Sequence, residues 1–178
     1  MTGDHVRRLG AAAVGATLLV ALLGACGGKE RNYQIPKSLC GVPVLDEHIV
    51  EDVLPGGDEI DPRPASTGDI PQHLYCDIHI DNKVQIGIEG TWRPAGFTAK
   101  DSAVDHLQYG APSTDHGRYV YWEDGATTAF PCANTKQKSG AFSVYVNAPR
   151  ADGDMGEKMR RFVASYAQAW KTRLPCGS

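Results

Sequence analysis

The sequence lacks the motifs and the charge pattern of several large functional classes. Its 178 residues carry 18 Lys and Arg against 21 Asp and Glu, a net charge of −3, and beyond the first 25 residues Arg160-Arg161 is the only adjacent basic pair. The basic face that binds nucleic acid is therefore missing. No G-x-G-x-x-G or Walker sequence supports a nucleotide cofactor, and no G-x-S-x-G or S-x-x-K sequence supplies a nucleophile. We therefore expect no nucleic acid partner, no cofactor and no enzymatic activity.

The N-terminus also lacks the long apolar run of a membrane-spanning helix. Arg7 and Arg8 precede an uncharged stretch, residues 9–25, that is rich in Ala, Leu, Val and Gly. A spanning helix needs about 20 strongly apolar residues. This stretch is shorter, contains three glycines and ends in Gly24 and Ala25. The layout predicts a cleaved signal peptide over residues 1–25, with the arginine pair as an ordinary basic start rather than a twin-arginine signal.

The end of this leader resembles a bacterial lipobox. Residues 23–26 (LGAC) match the pattern in which a diacylglyceryl group is attached to the cysteine and a peptidase cuts just ahead of it. The resemblance implies that Cys26 is the lipid-bearing first residue of a mature chain held at the extracytoplasmic face of the cell membrane. The alternative is an ordinary secretory signal with an incidental cysteine. We expect residues 26–37 to form a short polar tether and residues 38–178 to form one domain.

Four of the five cysteines remain once Cys26 is assigned to the lipid. They are too far apart for zinc ligation, which needs close pairs such as C-x-x-C. Because an exported chain enters an oxidising compartment, the even number predicts two disulfides. We predict that Cys40 pairs with Cys76 and that Cys132 pairs with Cys176. Each pair would join a strand to one end of a helix that covers it.

Hydrophobic periodicity predicts three helices and five strands. Apolar residues four apart indicate a helix over residues 44–54, Thr98 is expected to cap a second helix, and a long apolar stripe marks a third from Asp154. Residues 124–125 (DG) are typical of a tight hairpin turn. Alternating patterns indicate strands over residues 75–80, 84–89, 118–123, 126–132 and 142–146.

The order of these elements predicts an α+β fold: helix, two strands, helix, three strands, helix. We expect a single antiparallel sheet of about five strands, with helices packed on one face and the other face in water. A three-residue loop over residues 81–83 would place Ile80 opposite Val84 and would bring the apolar residues of both strands to one side.

The mature sequence resembles small lipoproteins of unknown function from actinobacteria. The shared features are a Tyr-x-x-Pro segment at Tyr33, a Leu-Cys-Gly segment at Leu39, a helix ending in Leu-Pro-Gly at Leu54, four cysteines and a closing helix. The resemblance implies an α+β fold similar to small envelope domains related to photosystem accessory proteins of the PsbP type. Those families have no assigned catalytic residues, so the resemblance assigns no site residue here.

One predicted strand is a candidate for metal binding. Asp77, His79 and Asp81 alternate along it, and alternate residues about 6.6 Å apart can share a metal if a neighbouring strand supplies a third ligand. The alternative is the solvated face of a half-buried sheet, where such alternation is needed in any case. We favour that alternative and therefore expect no metal.

A second strand is the candidate for ligand binding. Tyr119, Tyr121 and Trp122 place large amphipathic rings within four residues, although such rings also serve as core. Asp105-His106 sets an acid beside a histidine, but sequence neighbours do not create the geometry of a catalytic triad.

These features favour a membrane-anchored, non-enzymatic binding or accessory module of the cell envelope. The anchor, the missing catalytic motifs and the aromatic strand support it. Its partner would be an envelope protein or a small ligand. The alternative is a small hydrolase or metal-dependent protein that uses the face carrying Asp77, His79 and Asp81.

Overall fold

A computed structural model describes residues 29–65, 73–106, 113–149 and 153–177. The chain is α+β, as predicted. The elements in chain order are β1 (Ser38–Leu39), β2 (Val42–Pro43), α1 (Glu47–Glu51), β3 (Ile60–Pro64), β4 (His73–Ile80), β5 (Lys83–Arg93), α2 (Ala99–Asp105), β6 (Ser113–Asp115), β7 (Tyr119–Trp122), β8 (Gly125–Asn134), β9 (Ser139–Asn147) and α3 (Gly156–Lys171).

Strands β3 to β9 form one antiparallel sheet of seven strands in the order β3-β4-β5-β9-β8-β7-β6. The expected number of five was too low, because β3 and β6 add an edge strand at each side and β1 with β2 forms a separate ribbon.

Strand β3 contains Pro62 and Pro64, which favour a loop interpretation from sequence alone. The amide of Ala65 donates to the Tyr75 carbonyl at 3.0 Å. Hydrogen-bonding positions alternate along a strand, so the backbone nitrogens of Pro62 and Pro64 face away from β4. Proline is tolerated at such a sheet edge.

Helices cover both faces of the sheet, which corrects the expectation of one covered face. The α3 face is apolar: Trp170 packs edge-on against Phe142, with ring centroids 5.1 Å apart. On the opposite face α2 contributes Ser102, whose hydroxyl lies 2.6 Å from the Thr127 hydroxyl. A small second core forms there from Ala99, Ala103 and Val120. The α2 side chains that make this contact are only Ala and Ser, which do not indicate from the sequence which face of the sheet the helix covers.

The predicted apolar stripe of α3 is confirmed. Met159, Phe162, Val163, Tyr166 and Trp170 are all buried, and Phe162 is 1% exposed. The Tyr166 hydroxyl donates to the Leu39 carbonyl at 3.1 Å, which fixes the β1–β2 ribbon to the helix. This face therefore forms the main core of the domain.

Both predicted disulfides are present. Cys40 bonds to Cys76 with Cα atoms 5.9 Å apart, and Cys132 bonds to Cys176 with Cα atoms 4.8 Å apart. The first bond joins the segment before α1 to β4, and the second joins β8 to the chain just beyond α3. Both lie on the α3 side of the sheet, because Cys76 and Cys132 belong to the main core.

The two predicted hairpins form, but each turn differs from the sequence expectation. In the first, Ile78 pairs with Ile86 as expected, while a bulge makes Ile80 pair with Lys83 around a two-residue turn. In the second, Trp122 pairs with Gly125, so the turn comprises residues 123–124. Gly125 is needed for close packing rather than for the turn, because a Cβ there would lie 2.5 Å from the Trp122 ring.

The three helices start near the expected positions. Asp46 caps α1, which is only five residues long. The predicted cap on α2 is confirmed as a capping box between Thr98 and Asp101. Of the apolar residues that the sequence offers for the buried face of this helix, Ala103 is buried but Val104 is 46% exposed. The sequence predicts that Gly110 ends this helix, and that residue lies outside the described residues.

Residues 29–37, which the sequence assigns to a tether, instead pack along the domain. The backbone N–H of Asn32 donates to the Gly57 carbonyl at 2.7 Å, and the backbone N–H of Gly57 donates to the Glu30 carbonyl at 3.0 Å. Tyr33 is buried in the main core. A Cβ at Gly56 would lie 1.6 Å from the Lys29 carbonyl oxygen, so only glycine permits this close approach. Residues 29–37 are therefore part of the folded domain.

Candidate functional site

The α2 face of the sheet carries a polar network that includes a carboxylate. Residues alternate along β5, so Ile88 and Gly90 face α3 whereas Glu89 and Thr91 face α2. Glu89 lies between Tyr75 of β4 and Tyr145 of β9 in the sheet register. The site is thus built where three adjacent strands and a short helix meet.

His106, at the end of α2, is the partner of Glu89. Its Nε2 lies 3.3 Å from Glu89 Oε2, and its Nδ1 lies 2.7 Å from the Ser102 carbonyl oxygen. The imidazole stacks on the Tyr145 ring with centroids 3.7 Å apart and planes 5° apart. The Ser102 carbonyl and the Tyr145 ring together fix the orientation of the imidazole toward the Glu89 carboxylate.

A second histidine approaches the other oxygen of the same carboxylate. The Thr91 hydroxyl donates to Glu89 Oε1 at 2.9 Å, and His73 Nδ1 lies 3.2 Å from that hydroxyl. His73 Nδ1 is also 3.9 Å from Glu89 Oε1. Thr91 is only 3% exposed. Its hydroxyl therefore links His73 to Glu89 rather than presenting a nucleophile.

The pairing changes the proton affinity of both partners. The hydrogen bond from His106 lowers the pKa of Glu89 more than burial raises it, and Thr91 lowers it further. Burial lowers the pKa of His106, but the hydrogen bonds to Glu89 and to the Ser102 carbonyl outweigh this effect and leave the pKa above its usual 6.5. Burial raises the pKa of Tyr145. The carboxylate is therefore ionised at neutral pH.

Arg93 connects this network to the rest of α2. Its guanidinium lies 2.9 Å from the Asp105 carboxylate and donates from Nε to the Ser143 hydroxyl at 3.1 Å. The guanidinium carbon also lies 4.6 Å from the centroid of the Phe97 ring. Asp105 and His106 are neighbours in sequence, and the structure sends them to two different partners, so they form no acid–histidine couple.

The aromatic binding candidates divide between the two faces. Tyr119 and Tyr121 pack against the main core on the α3 side. Trp122 lies on the α2 face, where the centroids of its ring and the Tyr145 ring are 5.8 Å apart. These residues therefore do not form a common patch, and of the three only Trp122 adjoins the polar network.

The metal candidates are likewise not brought together. Asp81 lies in the β4–β5 turn, where its carboxylate binds Lys29 at 2.7 Å and accepts the Asp58 amide at 2.9 Å. Asp77 and His79 remain on the α2 face, and His79 Nδ1 is buried without a hydrogen-bond partner in the described structure. Within the described ranges, no group of three or more His, Cys, Asp or Glu residues is placed to hold a metal ion.

The Glu89 and His106 pair was not predicted from the sequence. The available signal was the position of Glu89 on the polar side of a predicted strand, but His73, Glu89 and His106 lie on three separate elements. Cys26 and the leader lie outside the described residues. Among the helices that the structure describes, none is long and apolar enough to cross a membrane.

No protein-family model, no curated protein and no solved structure matches this chain. The resemblance to actinobacterial lipoproteins therefore stays a prediction.

Proposed function

We propose that this protein is a lipid-anchored binding module at the extracytoplasmic face of the membrane. The leader and its Cys26 support the location from the sequence. The pairing of Cys40 with Cys76 and of Cys132 with Cys176 is consistent with it, because stable disulfides persist in oxidising compartments.

The observation that carries the binding role is the partly buried pair of Glu89 and His106. Their side chains are 22% and 16% exposed. A partly buried ion pair adds little stability, and well-packed apolar residues often serve a fold equally well. Shifted pKa values at such a pair are typical of functional sites. The α2 face is therefore the best candidate for a binding face.

The chemistry of this face fits a ligand that presents an amine or guanidinium group. Glu89 offers an ionised carboxylate that is still reachable from solvent. His73 and Tyr75 are exposed beside it, with ring centroids 6.2 Å apart. A carboxylate next to aromatic rings is a suitable environment for a cation. The group would belong to a small molecule or to a side chain of an envelope protein.

Substitution of Cys26 tests the location. Cys26→Ser should abolish lipid on the mature N-terminus and either release the protein from membranes or leave the leader uncut. Intact mass and membrane fractionation give the answer. Unchanged membrane retention of a Cys26→Ser protein whose leader has been removed would refute the anchor.

Photo-crosslinking tests the binding role. A benzophenone amino acid replacing the exposed Tyr75 should capture the partner in intact cells. Glu89→Gln should reduce capture strongly, because it removes the charge that a cation would recognise. Asp61→Asn is the matched control, since Asp61 lies on the same face but pairs with Arg63 on β3. Equal capture by all three proteins would exclude the Glu89 site.

A further inference from the structure

Very little chain separates the proposed lipid from Lys29, the first residue that the structure describes. Only Gly27 and Gly28 lie between Cys26 and Lys29. Three residue steps of fully extended chain reach about 10 Å. The end of the domain that holds Lys29 is therefore confined to the immediate neighbourhood of whatever holds Cys26.

Lys29 is fixed to the domain by several contacts. Its ammonium lies 2.7 Å from the Asp58 carboxylate and 2.7 Å from the Asp81 carboxylate. Exposed ion pairs of this kind are individually weak. Arg31 supplies the stronger constraint: its backbone forms a parallel bridge with Gly57, and its guanidinium donates to the Leu54 carbonyl at 2.7 Å. The attachment point is therefore part of the fold.

We propose that the surface around Lys29, Asp58 and the β4–β5 turn at residues 81–83 rests against the lipid headgroups. This surface is called the anchor pole below. The proposal depends on lipidation of Cys26 and goes beyond it, because it assigns one orientation to the domain. A long flexible linker would allow many orientations.

The sheet register identifies the opposite end of the molecule. Strand β5 runs from Lys83 at the anchor pole to Arg93, which pairs with Ala141 near the start of β9. Eleven residues of strand extend over about 33 Å. The β8–β9 turn at residues 135–138 lies beyond that far end. Two exposed lysines, Lys83 and Lys136, thus mark the two ends.

The anchor pole has mixed charge rather than a basic patch. Asp58, Glu59 and Asp81 lie there with Lys29 and Lys83. Basic clusters are what anionic membrane surfaces attract. The short covalent connection, and not the surface charge, must therefore set the orientation, and neutral lipid should give the same result as anionic lipid.

Lysine reactivity on vesicles tests the orientation. The full mature lipidated protein would be reconstituted in phosphatidylcholine vesicles and treated briefly with a water-soluble acetylating reagent, and each lysine would be quantified by mass spectrometry. The same mature chain starting at residue 26, with Cys26→Ser and therefore without lipid, provides the reference rates. We expect Lys83 to react several-fold more slowly on vesicles than in the reference, and Lys136 to react equally in both.

A spacer variant supplies the control for distance. Inserting about 20 Gly and Ser residues after Gly28 adds an average span of about 25 Å. Lys83 should then regain its reference reactivity while the protein stays on the vesicles. If the lipidated protein without the spacer is retained on the vesicles and its Lys83 still reacts at the reference rate, the orientation alone is overturned. Absence of lipid on the mature N-terminus would instead refute the proposed function.

Discussion

On one face of the sheet α3 buries five large side chains, whereas on the other face α2 buries only small ones. The α3 face also holds both disulfides. The α2 face holds the network of Glu89, His106 and Thr91. Stability and the proposed binding role are therefore carried by opposite sides of the same strands, so a substitution on either face should report mainly on one property.

The largest expected effect is on the α3 face. Phe162→Ala should lower the free energy of unfolding by about 3 to 5 kcal/mol, because it leaves a cavity under a fully buried ring. The measurement is the denaturant midpoint of the protein with its disulfides intact. Val104→Ala on the exposed side of α2 is the control and should change stability by less than about 0.5 kcal/mol. A Phe162→Ala cost as small as the control would show that the stripe is not the core.

Alanine substitutions at two glycines of β5 allow a direct comparison of the two faces of the sheet. A Cβ at Gly90 would lie 2.4 Å from the Trp170 ring, and one at Gly87 would lie 2.5 Å from the Asn147 side-chain oxygen. Gly90→Ala should cost about 1 to 3 kcal/mol, because the buried rings cannot move aside. Gly87→Ala should cost less, because Asn147 is partly exposed and can rotate. Equal denaturant midpoints for the two variants would show that an added methyl group costs the same stability on both faces.

A smaller effect is expected at the start of α2. Thr98→Ala removes the capping hydroxyl that accepts the Asp101 amide, and should cost about 1 kcal/mol. Amide hydrogen exchange should accelerate at Ser102 and Ala103 and remain unchanged in α3. Thr98→Ser keeps the hydroxyl and should restore protection. Faster exchange throughout α3 would mean that the two faces unfold together.

The smallest effect concerns pH and the Glu89 pair. The raised pKa of His106 gives stability that is present below pH 6.5 and is lost as the pH rises through the folded value. The lowered pKa of Glu89 gives stability that is present above pH 4.5 and is lost as the pH falls through its folded value. Glu89→Gln should thus cost under about 1 kcal/mol, with the largest cost between those two pH values.

Urea unfolding at several pH values measures this cost. The double variant Glu89→Gln with His106→Gln should lose the part of the pH dependence that this pair contributes in that window. A cost of Glu89→Gln that is the same from acid to alkaline pH would show that the two groups do not titrate as a pair.

The sequence was informative where one regular pattern determined the structure. The α3 stripe and the alternation that placed Cys76 inward were sufficient to predict the main core and both disulfides. The pattern failed at β3, since Pro62 and Pro64 are compatible with a strand only at an edge. It predicted α2 and its cap but did not place this helix on the opposite face of the sheet, because its buried contacts are made by Ala and Ser. The polar network could not be predicted, because His73, Glu89 and His106 meet only after folding.

The edges of the sheet affect how copies behave when they are crowded. An exposed edge strand invites pairing with another molecule. Here Pro62 and Pro64 remove two outward amide donors from β3, and the opposite edge strand β6 is only three residues long. Copies that the proposed anchor confines to the plane of a membrane would meet often. The protected edges would let them collide without joining into a continuous aggregate.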